Sequence, residues 1–361
     1  MTALRILGDT VVSRSDYYAA VAAPEGALEG ASRLRSAVGA ESSGALETTP
    51  PPGVTQFVAI GPGKPLTILI REVYTGRHPK AGLFRGNKPM LVTTALKDYA
   101  AYAPASRAVN FMEAAVSPRQ RLRAPMATSA GTNLVAYSPA VLTDQLQFTV
   151  EMSFDRFPEG LFAGLSAAFT AGAAIPLLMP ASGYLLAAGS LVKIASDWAD
   201  ALTDGLPAFA KTETIDFDVP GVAPAQADFR VLGHAEHEGL IYDPGRGLVS
   251  KTNAVYDGDE PYVIVSLDGA ERSKLQDFAP TLATAEQLRR FLTAKNGAET
   301  SITALLDGAR LANDIRYREQ AVRLTAEIAA EPDAVRKAAK EKTLEAVLKN
   351  ILTPELKPPS A

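Results

Sequence analysis

The sequence predicts an α+β fold: an antiparallel β-sandwich-like body with an inserted apolar helical hairpin and a C-terminal helical region. Three observations predict it. From Val54 the chain runs through short apolar stretches rich in β-branched residues, separated by turns such as Gly61-Pro62-Gly63 and Gly86-Asn87. Residues 160 to 192 then carry no charged side chain, although 21% of the chain is charged. Beyond Ala283 the composition shifts to Ala, Leu, Glu, Lys and Arg at helical spacing.

These shifts divide the 361 residues into an N-terminal extension and linker (1–53), a β-rich domain (54–280) with the hairpin at 160–202, and a helical region (281–361). In the first twenty residues, Leu4, Ile6, Val11 and Val12 supply a short strand and turn. A helix is predicted around Leu28 to Val38, and Gly39 to Gly53, which includes Pro50, Pro51 and Pro52, has the composition of an exposed linker. The strands begin with VTQFVAI, PLTILIREVYT, PMLVTTAL and RAVNFMEAAV. In LTILIRE, Leu66, Ile68 and Ile70 share one face, with Thr67, Leu69 and Arg71 opposite. The strictest alternation lies in LQFTVEMSFD, with Phe148, Val150, Met152 and Phe154 on one side. After the uncharged block, strands resume with TIDFDV, DFRVLG, GLIYD and PYVIVSL. The C-terminal helices are ATAEQLRRFLTA, the stretch from Ser301 to Ala330 and the stretch from Pro332 to Leu352. Pro332 suits a helix start, Asp333–Lys337 and Glu345–Lys349 are spaced as supporting pairs, and Leu344, Leu348 and Ile351 repeat on one face. Thr353-Pro354 ends the last helix ahead of a frayed tail.

Composition excludes several functions. The absence of cysteine removes disulfides, thiolate metal sites and a cysteine nucleophile. A net charge of -4 argues against nucleic acid as a partner. No secretory signal is read at the N-terminus, and a chain without cysteine suits a reducing cytosol, so a cytoplasmic protein, in one reading peripheral to a membrane, is expected.

Two readings of the uncharged block stand side by side. Arms at 161–175 and 181–199, turning at Pro176 to Pro180, would pack as a buried helical hairpin, since each arm is shorter than the about 20 residues of a span. Alternatively the block is a latent membrane segment, with Gly164, Ala168, Gly172, Gly183 and Gly189 suited to close helix packing; its many alanines contribute little insertion energy.

Acidic residues gather around YDGDEPYVIVSLDG. On DEPYVIVSL the sequence resembles a strand of C2-type β-sandwich domains, in which an acidic loop precedes a Pro-Tyr-Val strand start. That resemblance implies calcium held by Asp257, Asp259 and Asp268, with Asp243 of IYDPG as a fourth candidate, and docking on a membrane. Turn chemistry by itself explains Asp257-Gly258 and Asp268-Gly269, without a metal, and is the preferred reading. An EF-hand starting at Asp257 is excluded because Tyr262 stands where it needs glycine.

Arg119, Arg121 and Arg123 align on one face if extended, as anion or headgroup ligands or as charges guarding an edge strand. The segment HAEHE (His234 to Glu238) lacks the HExxH order of a zinc protease and is expected to be a solvated charged turn. Ser190 and Lys193 match S-x-x-K without its companion motifs, and Gly61-Pro62-Gly63-Lys64 is no phosphate loop.

Three functions remain: a non-enzymatic binding or effector protein acting at a membrane surface or on a protein partner; a metal-dependent hydrolase using the Asp257, Asp259 and Asp268 loops; and a structural subunit that uses the hairpin or the C-terminal helices to assemble, a homo-oligomer being one such assembly.

Overall fold

The computed structural model describes residues 3–22, 57–79, 87–98, 106–123, 131–154, 157–158, 160–170, 177–179, 184–187, 190–193, 207–272 and 302–358. The N-terminal stretch forms β1 (Leu4–Leu7), β2 (Thr10–Val12) and α1 (Arg14–Ala22). The β-branched stretches form β3 (Leu66–Tyr74), β4 (Lys88–Asp98), β5 (Ser106–Val116), β6 (Arg121–Arg123), β7 (Leu134–Ser138) and β8 (Gln145–Phe154). The uncharged block contributes α2 (Leu161–Thr170), β9 (Leu177–Met179) and β10 (Tyr184–Ala187), and β11 (Ser190–Lys193) runs across its end. Then come β12 (Phe209–Asp216), β13 (Phe229–Leu232), β14 (Ile241–Asp243), β15 (Gly247–Val249) and β16 (Tyr262–Asp268). Two helices close the chain, α3 (Ile302–Ala330) and α4 (Ala334–Lys349). This is an α+β fold with a β-rich body.

The strands pair antiparallel in two sheets. The first has the order β15-β14-β2-β1-β13-β16-β3, with β6 and β7 sharing the far edge of β3. The second has the order β11-β10-β9-β5-β4-β8-β12. One apolar cluster takes side chains from both: Ile68, Ile70, Val263 and Val265 from the first, Val92, Phe111, Phe148 and Met152 from the second. The predicted alternation in β8 holds, with Leu146, Phe148, Val150 and Met152 buried and their neighbours half-buried. A strand that presents one apolar face can bury it only against another such face.

A bulge in β3 changes the parity of that strand. Val265 pairs with Ile70 but Ile264 pairs with Glu72, so Arg71 is the extra residue. Ile70 and Val73 therefore both face the shared core, while Glu72 and Tyr74 point to the outer face with Tyr262 and Ile264. That outer face has its own cluster, built on Leu4, Ile6, Val11, Tyr74, Val231, Leu248 and Tyr262.

The structure corrects the helical hairpin. The first predicted arm is helical over α2, where Leu161 and Leu165 are buried. Over its described residues, 184–187 and 190–193, the second arm is strand and not helix: β9, β10 and β11 form a meander that extends the second sheet from β5. Ala187 lies opposite Ser190 and Met179 opposite Tyr184, which leaves spacings of two and four residues, both usual for hairpins. Pairing with a ready-made edge satisfies these backbones without a second helix.

The C-terminal helices differ in detail. Asp333 caps α4 by accepting from the Arg336 amide at 2.9 Å, so Pro332 lies before the cap and Asp333 serves the backbone instead of Lys337. Glu345–Lys349 forms as predicted, at 2.9 Å. The end of the last helix is held ahead of the tail: the amides of Leu352 and Thr353 donate to the buried Asp314 carboxylate at 3.1 and 2.9 Å, and the Asn350 side chain donates to the Ala140 carbonyl. VTQFVAI forms no strand over its described part, Phe57 to Ile60. The helices expected at 28–38 and 283–294 lie outside the described residues.

Candidate functional site

Most of the chemistry-bearing residues singled out in the sequence meet at one rim of the first sheet, where β3 ends and β16 begins. Tyr262 opens β16 directly opposite Tyr74, and the two rings stack with centroids 5.0 Å apart. Tyr256 packs edge-on to Tyr74, and His237 packs edge-on to both Tyr256 and Tyr262. Such aromatic pairs add about 0.5–1.5 kcal/mol each beyond the area they bury.

Polar groups surround this stack. The Tyr262 hydroxyl donates to Glu72 Oε1 at 2.8 Å, and Arg121 Nη1 reaches Glu72 Oε2 at 3.1 Å. Burial pushes the Glu72 carboxyl above the usual carboxylate range, against the pull of Tyr262 and Arg121. Burial and the neighbouring Glu72 push the Tyr262 phenol up, and burial takes Tyr74 up to about 12. The Tyr256 hydroxyl is held by Glu236, and His234 Nε2 lies 3.0 Å from Glu260 Oε2. All three phenols stay protonated near neutrality and act as hydrogen-bond donors.

HAEHE is a turn, but not a fully solvated one. Residues 235–237 form one 3-10 turn, and His237 is completely buried. Its Nδ1 accepts from the His234 amide at 2.9 Å. Burial lowers its pKa.

The arginines divide. Only Arg121 and Arg123 lie on a strand, with guanidinium groups that converge on the turn between β14 and β15. Arg121 donates to the Gly245 carbonyl at 2.7 Å, and Arg123 to the Pro244 and Gly245 carbonyls at 3.0 and 3.2 Å. Arg119 sits in a turn at φ 58°, out of line with the other two, and pairs with Asp259 at 2.7 Å. The three-arginine face is thus corrected: the turn at Arg119 breaks the alternation that an extended chain would have given.

The four carboxylates proposed for calcium do not converge. Asp243 closes its own turn, accepting from the Gly245 and Arg246 amides and the Arg246 side chain, which holds its carboxyl below the usual range. Asp257 is exposed before β16, and Asp259 faces Arg119. Asp268 ends β16, six residues beyond Tyr262 and about 20 Å away at strand rise. There it accepts from the Val58 amide and from Arg272. Among the described residues no group of three or more His, Asp or Glu side chains stands ready for a metal ion.

A second polar cluster is buried between the sheets, and the sequence reading does not single it out. Arg5 on β1 and Arg230 on β13 are fully buried, as are Glu213 on β12 and Asp228. Glu213 Oε1 accepts from both Arg5 Nη2 and Arg230 Nη1, and Arg230 Nε donates to Asp228 at 2.9 Å. Although burial opposes its charge, Asp228 and Glu213 raise the Arg230 pKa. A lone arginine inside each of two otherwise apolar strands, LRIL and FRVL, is the only sequence signal of this cluster.

No protein-family model matches this chain, and no curated protein shows significant similarity to it.

Proposed function

We propose that this chain is a non-enzymatic binding or effector protein that docks through its uncharged segment, and that the occupant of the docking surface is an extended apolar segment of a protein partner. One observation carries this reading: β9, β10 and β11 form the end of the second sheet, and Lys193 is the only charged residue in the three strands. Sheet edges in soluble proteins are ordinarily blunted by charge, proline or bulges; on the edge strand β11 Lys193 at its end is the one such charge, and an edge so lightly guarded is a template for a further strand. The adjoining helix α3 contacts β11 and leaves Leu311, Ile315 and Val322 exposed within about 40° of one another around its axis. The rim chemistry is in keeping with recognition, since Asp259, Glu72 and Asp243 are engaged by arginine, tyrosine or backbone amides. We further read the two sheets as faces of a sandwich, in line with the C2-type resemblance of Asp259 to Leu267. No helix among the described residues is long and apolar enough to cross a membrane, so the membrane version of this proposal is docking at the surface.

The test compares the full chain with Leu191→Lys and Val192→Lys. The proposal expects a partner that co-purifies with the wild type and is lost from both variants at unchanged thermal stability. Identical partners for all three chains would overturn it. Concentration-dependent self-association abolished by either lysine would place a second copy on the edge and make the chain a structural subunit. Pelleting with phosphatidylcholine or phosphatidylserine vesicles, lost in the variants, would place a membrane surface there.

A further inference from the structure

His237 sits where a proton cannot be added without breaking the fold around it. Its Nδ1 is an acceptor, because the His234 amide donates to it at 2.9 Å. The neutral ring therefore carries its proton on Nε2, which is sealed from water and turned toward the Glu260 backbone without a well-aligned hydrogen bond. A second proton would have to go on Nδ1, setting one N–H against another. The ring cannot move aside easily: it is packed between Tyr256 and Tyr262, and Gly233 leaves no room for a side chain beside Nδ1.

The turn that holds His237 is also a fastening. Its backbone continues into Gly239, whose amide donates to the Val11 carbonyl at 2.8 Å, and Leu240, whose carbonyl accepts from the Val11 amide at 2.7 Å. These two bonds join the start of β14 to β2, where only Ile241 and Thr10 pair as strand residues. Beyond these, the Tyr242 amide donates to the Asp9 carbonyl at 2.6 Å, the Tyr262 hydroxyl accepts from the Leu248 amide in the middle of β15, and Arg121 and Arg123 hold the far turn of the hairpin.

We propose that His237 is an acid-sensitive latch: protonation at Nδ1 breaks its bond to the His234 amide and loosens turn 233–240, freeing the two backbone bonds of that turn to Val11 on β2. The groups that face this ring are Glu236 and His234 from its own turn, Glu260 and Tyr262 from the start of β16, and Tyr256 from the preceding loop. Glu72 lies one step further, behind Tyr262. The sign follows from burial, which lowers the His237 pKa in the folded chain. The latch is therefore fully closed above the ordinary histidine value of 6.5 and opens as the pH falls below it, toward the folded value. This inference is independent of the docking reading, which concerns the other sheet.

Hydrogen exchange of the full chain between about pH 7.5 and about pH 5, corrected for intrinsic rates, tests it. The wild type should lose about tenfold or more of its protection over residues 233–242 and at Val11. His237→Gln can still accept the His234 amide but does not titrate, and should show no such loss. His234→Gln removes the ring paired with Glu260 and should retain it. An equal loss in His237→Gln, or disappearance of the loss in His234→Gln, would overturn the latch. Should His237→Gln fail to fold, the wild type decides by NMR: the His237 ring and the His234 amide must titrate together. A ring that titrates without moving that amide, or a wild type with no acid-induced loss of protection over residues 233–242, overturns the proposal.

Discussion

Arg5 and Arg230 stand directly opposite each other on β1 and β13, both fully buried, with Glu213 Oε1 from the other sheet bonded to each. Two like charges across a strand pair repel, and only the carboxylates of Glu213 and Asp228 make the pairing tenable. Because Glu213 lies on β12, the cluster also ties the second sheet to the N-terminal strands of the first.

Glu213→Ala should therefore destabilise the chain strongly, by about 3–5 kcal/mol, since it leaves two opposed guanidinium groups without their shared partner. Urea denaturation at neutral pH measures this. A loss below about 1 kcal/mol would mean that water reaches the cluster.

Gly247 lies at φ 81°, and a Cβ there would run into the Glu72 carboxylate, Arg121 and the Tyr262 hydroxyl. Gly221 has a similar φ of 78° but open space around it. Gly221→Ala should cost roughly 1 kcal/mol, the backbone penalty alone. Gly247→Ala should cost roughly 2–4 kcal/mol, because strain and displacement of the rim add to it. Equal thermal shifts for the two variants would show that the rim yields freely.

The pH dependence of Glu72 runs opposite to that of a usual salt-bridged acid. Burial raises its folded pKa above the ordinary 4.5, so folding takes up a proton there. Its contribution is present below 4.5 and lost as pH rises through the folded value. Glu72→Gln keeps an acceptor for Tyr262 and removes the buried charge. Its stability relative to wild type should improve as pH rises from about 4.5 to neutrality, checked by denaturation at several pH values.

Asp314→Ala removes the acceptor for the Leu352 and Thr353 amides. The expected cost is about 1–3 kcal/mol. Faster hydrogen exchange at those two amides, with the β-rich body unchanged, would locate the effect at the end of the last helix.

Single strands were legible where one rule governed them. The alternation in Leu146 to Met152 predicts β8 because each strand face meets one environment, and the glutamate–lysine spacing predicts the 345–349 pair because it is local. The uncharged stretch misled in its second half. Ala- and Leu-rich residues 181–192 satisfy helix and strand about equally, and the choice fell to the free edge of β5, which lies far away in sequence. The rim was half legible. Its arginines and aspartates stand out in the sequence, but the bulge at Arg71 that turns Glu72 toward Tyr262 leaves no mark there.

By itself the sequence determined the α+β class, the absence of thiol chemistry and the strand character of the body, since these depend on composition and near-neighbour spacing. Only the tertiary structure decided which charges meet. Arg5 found Glu213 and Arg121 found Glu72 across long stretches of chain. Such pairs form where burial leaves a charge no other partner, and burial is a property of the packed sheets, not of any local run of residues.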